Sequence, residues 1–191
     1  MKREELEHII RASGEITNQY EFVIVGSQSI LGPVPNPPDA FTVSMEVDIY
    51  PLRSPDLADA IEGALGEGSL FHKTHGYYAQ GVGPGTAILP KDWLTRVHRV
   101  QNGNTNDRIG YCVDVVDLFL SKAVAGRDKD REFCMALLEH RYVSSPQLLE
   151  LVPSMPITNE EQRALRARIR RWAKSQRDVG HDMPNAQHLD K

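Results

Sequence analysis

Two short stretches of this sequence carry residue types that can handle a phosphate and a metal ion. The first is Gly26-Ser27, which directly follows the apolar run Phe22-Val23-Ile24-Val25. A glycine after a strand lets backbone N–H groups approach a phosphate. A helical turn beyond it adds positive potential, and a serine hydroxyl donates a further hydrogen bond. The lysine-containing spacing of a P-loop is absent. The second stretch is Glu46-Val47-Asp48. Side chains alternate along a strand with period two, so both carboxylates leave on one side, one residue apart. Such a pair suits Mg²⁺ or Mn²⁺, which take oxygen ligands from one or two carboxylates together with substrate phosphates. Their neighbours are apolar and the strand reads as central, where charge is costly unless paired or metal-bound. Each stretch alone is weak, since most such glycines only turn the chain and most acid pairs are solvated. On consecutive strands they form a phosphate cradle facing a metal site.

The elements that must hold these groups follow from hydrophobic spacing. Leu6, Ile9 and Ile10 mark an amphipathic helix over 3–12 that ends near Ser13-Gly14. Residues 22–25 are apolar and rich in β-branched types, the pattern of a buried strand, and 28–31 can form a turn or two of helix. The segment Pro33-Val34-Pro35-Asn36-Pro37-Pro38 excludes regular helix and central strand and reads as a surface excursion. A second strand is expected over 41–52. Val43, Met45, Val47 and Ile49 would share one face, with Ser44, Glu46, Asp48 and Tyr50 on the other. Ser54-Pro55 opens a helix whose stripe is Leu57, Ala60, Ile61, Ala64 and Leu65. Further strands are expected over 77–82, 86–89 and 95–100, with a turn at Gly83-Pro84-Gly85 and a polar loop over 101–108.

From Val113 the pattern turns helical. One helix ends at Gly126, the next starts at Asp128, a third at Ser145-Pro146, and a fourth runs from Thr158 or Asn159 to about Lys174. The fold class expected is α/β (α+β): a mixed-sheet core over 1–110, a helical portion packed on it over 111–175, and a loose tail over 176–191.

Bulk composition bounds the function. A chain of 191 residues suits one compact domain with a modest appendage. A formal net charge of −4 argues against a protein that coats nucleic acid, because such binding neutralises many phosphates. It leaves room for a local basic site. Arg163, Arg166, Arg168, Arg170, Arg171 and Lys174 crowd the last helix, as a solvated face or as a contact for RNA or an acidic partner. The two cysteines, Cys112 and Cys134, sit among apolar residues and read as buried thiols in a reducing compartment. His72 and His75 lack the further cysteine or histidine pair of a zinc site. Of Tyr77 and Tyr78, one is expected in the core and the other is free to stack on a base. The charged N-terminus is no secretory signal, and no apolar run approaches the roughly 20 residues that span a bilayer. A cytoplasmic protein without a membrane partner is expected.

Taken together, Val25-Gly26-Ser27, the turn after it and Glu46-Val47-Asp48 resemble the active-site signature of the DNA polymerase β-like nucleotidyltransferase superfamily. The segment from Asp117 to Asp130 resembles the lysine-then-Lys-Asp block of AbiEii- and MenT-type toxins of bacterial abortive-infection and toxin–antitoxin systems. The run 25–140 is also similar to an uncharacterised bacterial nucleotidyltransferase-like family. It shares Gly-Ser-Gln, Ser-Met-Glu-x-Asp, Gly-Tyr-Tyr-Ala-Gln-Gly-Val, and Leu-Ser-Lys with Ala-Gly-Arg-x-Lys-Asp.

The resemblance implies a nucleotidyltransferase-type mixed sheet in which Gly26 and Ser27 hold a nucleoside triphosphate and Glu46 and Asp48 bind Mg²⁺ or Mn²⁺. Lys122 would meet phosphate charge, and Asp130 would supply a third acid or orient a neighbour; Asp48, Lys122 and Asp130 are the implied catalytic set. The implied reaction moves a nucleoside monophosphate to a hydroxyl of RNA (such as tRNA) or of protein, by a toxin paired with an antitoxin protein. A catalytically degenerate nucleotide- or partner-binding module and transfer to a small molecule are the alternatives. Two departures stand out. Glu46 occupies a position where the superfamily usually has Asp, and residues 28–45 separate Ser27 from Glu46, a longer gap than usual.

Overall fold

The computed structural model describes residues 1–181. Five strands form one mixed sheet in the order β3-β2-β1-β5-β4. They are β1 (Glu21–Val25), β2 (Glu46–Pro51), β3 (Tyr78–Gly81), β4 (His98–Val100) and β5 (Ile109–Cys112). The helices are α1 (Arg3–Thr17), α2 (Ala58–Leu65), α3 (Leu70–His75), α4 (Val115–Ala125), α5 (Asp128–Glu139), α6 (Ser145–Leu151) and α7 (Asn159–His181). None of these helices is long and apolar enough to cross a membrane.

The central strand explains the architecture. Phe22, Val23, Ile24 and Val25 are all buried, without alternation, so both faces of β1 are covered. It pairs antiparallel with β2 and parallel with β5, while β3 lies parallel to β2 and β4 antiparallel to β5. Close approaches seat α1 and α2 on the sheet. A Cβ at Gly110 would lie 2.5 Å from Ile10 Cδ1, and one at Gly81 would lie 2.0 Å from the Ala58 carbonyl oxygen. Next to β5, Asp114 caps α4 by accepting a hydrogen bond from the Val116 N–H. Val115, Val116, Leu118, Phe119, Leu120 and Ala123 of α4 are all buried, because α5, α6 and α7 surround it. One hydrophobic cluster runs from Met1 to Trp172 through sheet and helices alike.

An ion pair ties the segment before β4 to α4. Arg96, just before β4, donates through Nε and Nη2 to both carboxylate oxygens of Asp117 on α4, at 2.9 and 2.8 Å. Asp117 is fully buried, and that burial raises its carboxyl pKa against the pull of Arg96. Arg96→Met would leave this carboxylate without its counter-charge. The expected cost is about 3–5 kcal/mol, read as a shift in the urea midpoint.

Several expectations need correction. α1 continues past Ser13-Gly14 to Thr17, with Gly14 packed beneath the Arg108 side chain. The strand expected over 41–52 is ordered only from Glu46. Residues Asp39–Phe41 form a 3-10 turn instead, and Val43 and Met45, expected to share a strand face with Val47 and Ile49, are 80% and 40% exposed. The Gln28 amide holds this segment by donating to the carbonyls of Phe41 and Ser44, and the Phe41 ring packs against Phe133, His140 and Tyr142. α2 starts only after a 3-10 turn at Pro55–Leu57, and Ala60 and Ala64 face solvent.

No strand forms over 86–89. Pro84–Thr86 make a 3-10 turn, and β3 remains the edge of the sheet. α3 and β5 were not expected. α3 lacks an apolar stripe and depends on its ends, where Ser69 accepts from the His72 N–H and Gly76 takes a left-handed conformation. α7 passes Lys174 and reaches His181, so residues 176–181 are helical where a loose tail was expected. The rest of that tail, 182–191, lies outside the described residues. Cys112 and Cys134 are buried free thiols, and burial pushes the Cys112 thiol up to about 12.

Candidate active site

β1 ends at Val25, whose register partner on β2 is Asp48. The next residue, Gly26, has φ 66° and ψ −166°, a region that essentially only glycine enters. A Cβ there would lie 1.9 Å from Asp48 Oδ2. Gly26 is therefore set both by its own backbone and by the carboxylate beside it. The chain then enters a 3-10 turn, Ser27–Leu31, pinned by the Ser29 hydroxyl and N–H, which donate to the Gly26 carbonyl at 2.9 and 3.2 Å.

On β2, Val47 and Ile49 are fully buried, while Glu46 and Asp48 project to the other side of the strand. β3 stands beside them in register, Tyr78 against Glu46 and Gln80 against Asp48. The Tyr78 hydroxyl donates to Glu46 Oε2 at 3.0 Å, and burial together with this carboxylate pushes the Tyr78 phenol up to about 12. Asp48 is pushed up to about 6, first by burial and then by the charge of Glu46, with Lys122, Lys129 and Arg127 pulling the other way.

The third wall comes from the α4–α5 corner. Gly126, with φ 66°, ends α4 and turns the chain so that Lys122 and Asp130 face each other. Lys122 Nζ lies 3.2 Å from Asp130 Oδ1 and 4.7 Å from the centre of the Phe133 ring. Arg127 Nε donates to Asp130 Oδ2 at 2.8 Å. Burial works to raise the Asp130 carboxyl, but the Arg127 hydrogen bond and the Lys122 charge outweigh it and hold it below the usual range.

Glu46, Asp48, Gln80, Lys122, Arg127 and Asp130 line one cleft of about 1140 Å³. Gly26, Ser27, Glu46, Asp48, Lys122 and Asp130, singled out from sequence, all reach it. Asp130 stands with the two basic side chains. Among the described residues no three His, Cys, Asp or Glu side chains gather as a metal-binding group, and the Asp130 carboxylate lies against the Lys122 ammonium and the Arg127 guanidinium. Gln80, Arg127 and Lys129, which lie inside the shared motifs but had no role assigned there, also line the cleft, and Phe41, Val43 and Ser44, expected in a strand, form one of its walls. Period-two alternation on β3 carried the signal for Gln80. Of the two tyrosines, Tyr77 is the core one, with its hydroxyl 2.7 Å from His8 Nδ1.

The carboxylate pair fits a divalent cation. Glu46 and Asp48 stand on one strand face, Asp48 is destabilised as an anion, and among the described residues neither forms a salt bridge. A cation completed by phosphate oxygens and water would relieve that repulsion. Tyr78→Phe frees the Glu46 carboxylate and should weaken Mn²⁺ binding roughly 10–100-fold without unfolding the protein. Titration of free Mn²⁺ by electron paramagnetic resonance checks it.

A mixed α/β sheet whose central strand runs into a glycine turn, beside a carboxylate pair and a lysine in one cleft, defines a nucleotidyltransferase-type fold. Residues 4–179 match the family described as "Nucleotidyltransferase of unknown function (DUF6036)", and the chain belongs to that family. No curated protein and no solved structure matches it.

Proposed function

We propose that this protein is a Mg²⁺-dependent nucleotidyltransferase that moves a nucleoside monophosphate from a nucleoside triphosphate to a hydroxyl of RNA or protein. The observation that carries this reading is the meeting of Gly26, Ser27, Glu46, Asp48 and Lys122 in a single cleft. The backbone at Gly26-Ser27 and the Ser27 hydroxyl bind the distal phosphates. Lys122, held by Asp130, places its ammonium against the phosphate charge, and Asp130 acts as a positioning residue. Glu46 and Asp48 hold the ion, which when bound neutralises phosphate charge and orients the triphosphate. Val43, Val82, Ile88 and Leu89 give the cleft apolar lips for the base. The acceptor oxygen forms its bond to the α-phosphorus as the bond to the bridging oxygen breaks. Pyrophosphate leaves, and the acceptor's proton passes to water. Catalysis of this kind rests on positioning and charge.

The sequence resemblance to AbiEii- and MenT-type proteins supports a role as the toxin of a bacterial toxin–antitoxin pair, acting in the cytoplasm. Purified protein with α-labelled nucleoside triphosphates, Mg²⁺ and total RNA or total protein should yield a labelled acceptor that disappears on chelation. Tight, metal-dependent nucleotide binding with no labelled RNA, protein or small hydroxyl compound would overturn the transferase reading. It would leave a nucleotide-binding module.

A further inference from the structure

Outside the cleft, charge is concentrated on one helix. The chain is net −4, yet residues 162–176 hold Arg163, Arg166, Arg168, Arg170, Arg171 and Lys174 and no acid. The structure divides these six by task. α7 buries Leu165, Ile169 and Trp172 against α4, α5 and α6. Arg166 donates to the Leu149 carbonyl at 3.2 Å, and Arg168 donates to the Ala123 carbonyl at the end of α4. These two are spent on holding the helix down. Arg163, Arg170, Arg171 and Lys174 are exposed, and among the described residues none has a carboxylate within ion-pair range.

That face is continuous with the cleft. Arg168 lies against Gly126, where an added Cβ would meet its Nη1 at 2.8 Å, and the next residue, Arg127, lines the cleft with Lys129 and Lys122. Arg171, about one turn on from Arg168, stands between this corner and the outer row of Arg163, Arg170 and Lys174. The row extends about 16 Å along the helix, long enough to follow two or three phosphates of an extended strand.

The chemistry of the face selects the partner. Three of the four exposed groups are arginines, whose planar fork matches phosphate oxygens. Between them lie only Ala164 and Ala167, and no large hydrophobic is exposed over residues 159–176 of α7. A protein partner would need an apolar, aromatic-rich centre, which this face lacks. RNA needs only charge, and it carries a 2′-hydroxyl on each ribose, so whichever nucleotide reaches the cleft brings an acceptor hydroxyl with it.

We propose that the outer face of α7 docks single-stranded RNA and feeds one of its hydroxyls into the cleft. This rests on the transferase reading for the reaction, but the docking itself can be measured without turnover. The test is fluorescence anisotropy of a labelled unstructured RNA with the full chain, wild type against Arg163→Gln/Arg170→Gln/Arg171→Gln/Lys174→Gln. Four phosphate contacts give a salt slope near −2.8, so wild-type binding should weaken about 50-fold between about 50 and 200 mM salt. The variant should lose that share of the slope and bind at least about 10-fold more weakly at the lower salt, while its metal-dependent nucleotide binding is unchanged. Equal RNA affinity and slope in the variant overturns the proposal, as does wild-type preference for polyglutamate over RNA. Docking that persists with no transfer counts against the transferase reading alone. Transfer to a protein acceptor that the variant leaves intact counts against the docking face alone.

Discussion

Asp48→Asn should abolish nucleotidyl transfer and, in the same experiment, stabilise the metal-free protein. The loss of activity follows from removing half of the carboxylate pair, and a fall of at least 10²–10³-fold, roughly the size seen when one key electrostatic group is lost, is expected. The gain in stability follows from the opposite side of the same geometry. Burial and Glu46 raise the Asp48 carboxyl from 3.8 to about 6 in the folded chain. A carboxyl raised in this way binds its proton more tightly folded than unfolded, so its ionisation costs stability. The cost begins as pH rises through 3.8, is complete above about 6, and persists at neutral pH. Because Asp48 is only partly buried, the penalty is on the order of 1–2 kcal/mol. Asparagine carries no charge and escapes it. Melting curves should place the variant a few degrees above wild type at neutral pH and level with it at pH near 4. Added Mg²⁺ should raise the wild-type midpoint and leave the variant's where it is. A variant less stable than wild type at neutral pH, or one that still transfers, would show that Asp48 is an ordinary structural acid.

How far sequence reaches here depends on whether the signal is local. Val25-Gly26-Ser27 and Glu46-Val47-Asp48 were legible because a buried strand, a glycine turn and period-two alternation are written in neighbouring residues. The α4–α5 corner was legible for the same reason, through Gly126 ending one helix and Asp128 starting the next, whereas Lys122 and Asp130 were singled out by the family resemblance alone. What escaped was set by pairing across the chain. β5 is only four residues with Gly110 inside it, and it becomes a strand by lying parallel to β1. Tyr78 meets Glu46 because β3 and β2 share a register, and no local pattern states a register. The prolines of 33–38 read as a surface excursion and Phe41 as the start of a strand, but Phe41 packs into the Phe133–His140–Tyr142 cluster and makes 40–44 a wall of the cleft. Over 86–89 the error ran the other way. The residues suit a strand, and no neighbouring strand accepts them.

Gly26→Ala should also abolish transfer, but with stability moving in the opposite direction from Asp48→Asn. Two costs fall on the new methyl. The first is backbone: at φ 66° and ψ −166° an L-residue is strained by about 1–3 kcal/mol, whatever surrounds it. The second is the contact of 1.9 Å with Asp48 Oδ2. A carboxylate is the free end of a side chain, so it gives way before the backbone does. The collision therefore reaches the chemistry as a displaced Asp48, with an activity loss expected to approach that of removing the carboxylate, roughly 10²-fold or more. The two costs separate in a double-mutant cycle. In an Asp48→Ala background the carboxylate is gone, and the nearest remaining Asp48 atom to the new methyl is Cβ at 3.4 Å, ordinary contact. Gly26→Ala should then cost only its backbone share, and the difference between backgrounds is the coupling between glycine and carboxylate. A coupling near zero would mean that Asp48 simply rotates aside, leaving Gly26 to serve the turn alone. A coupling above about 0.5 kcal/mol means that the absence of a side chain at Gly26 is what lets the Asp48 carboxylate occupy its place in the cleft.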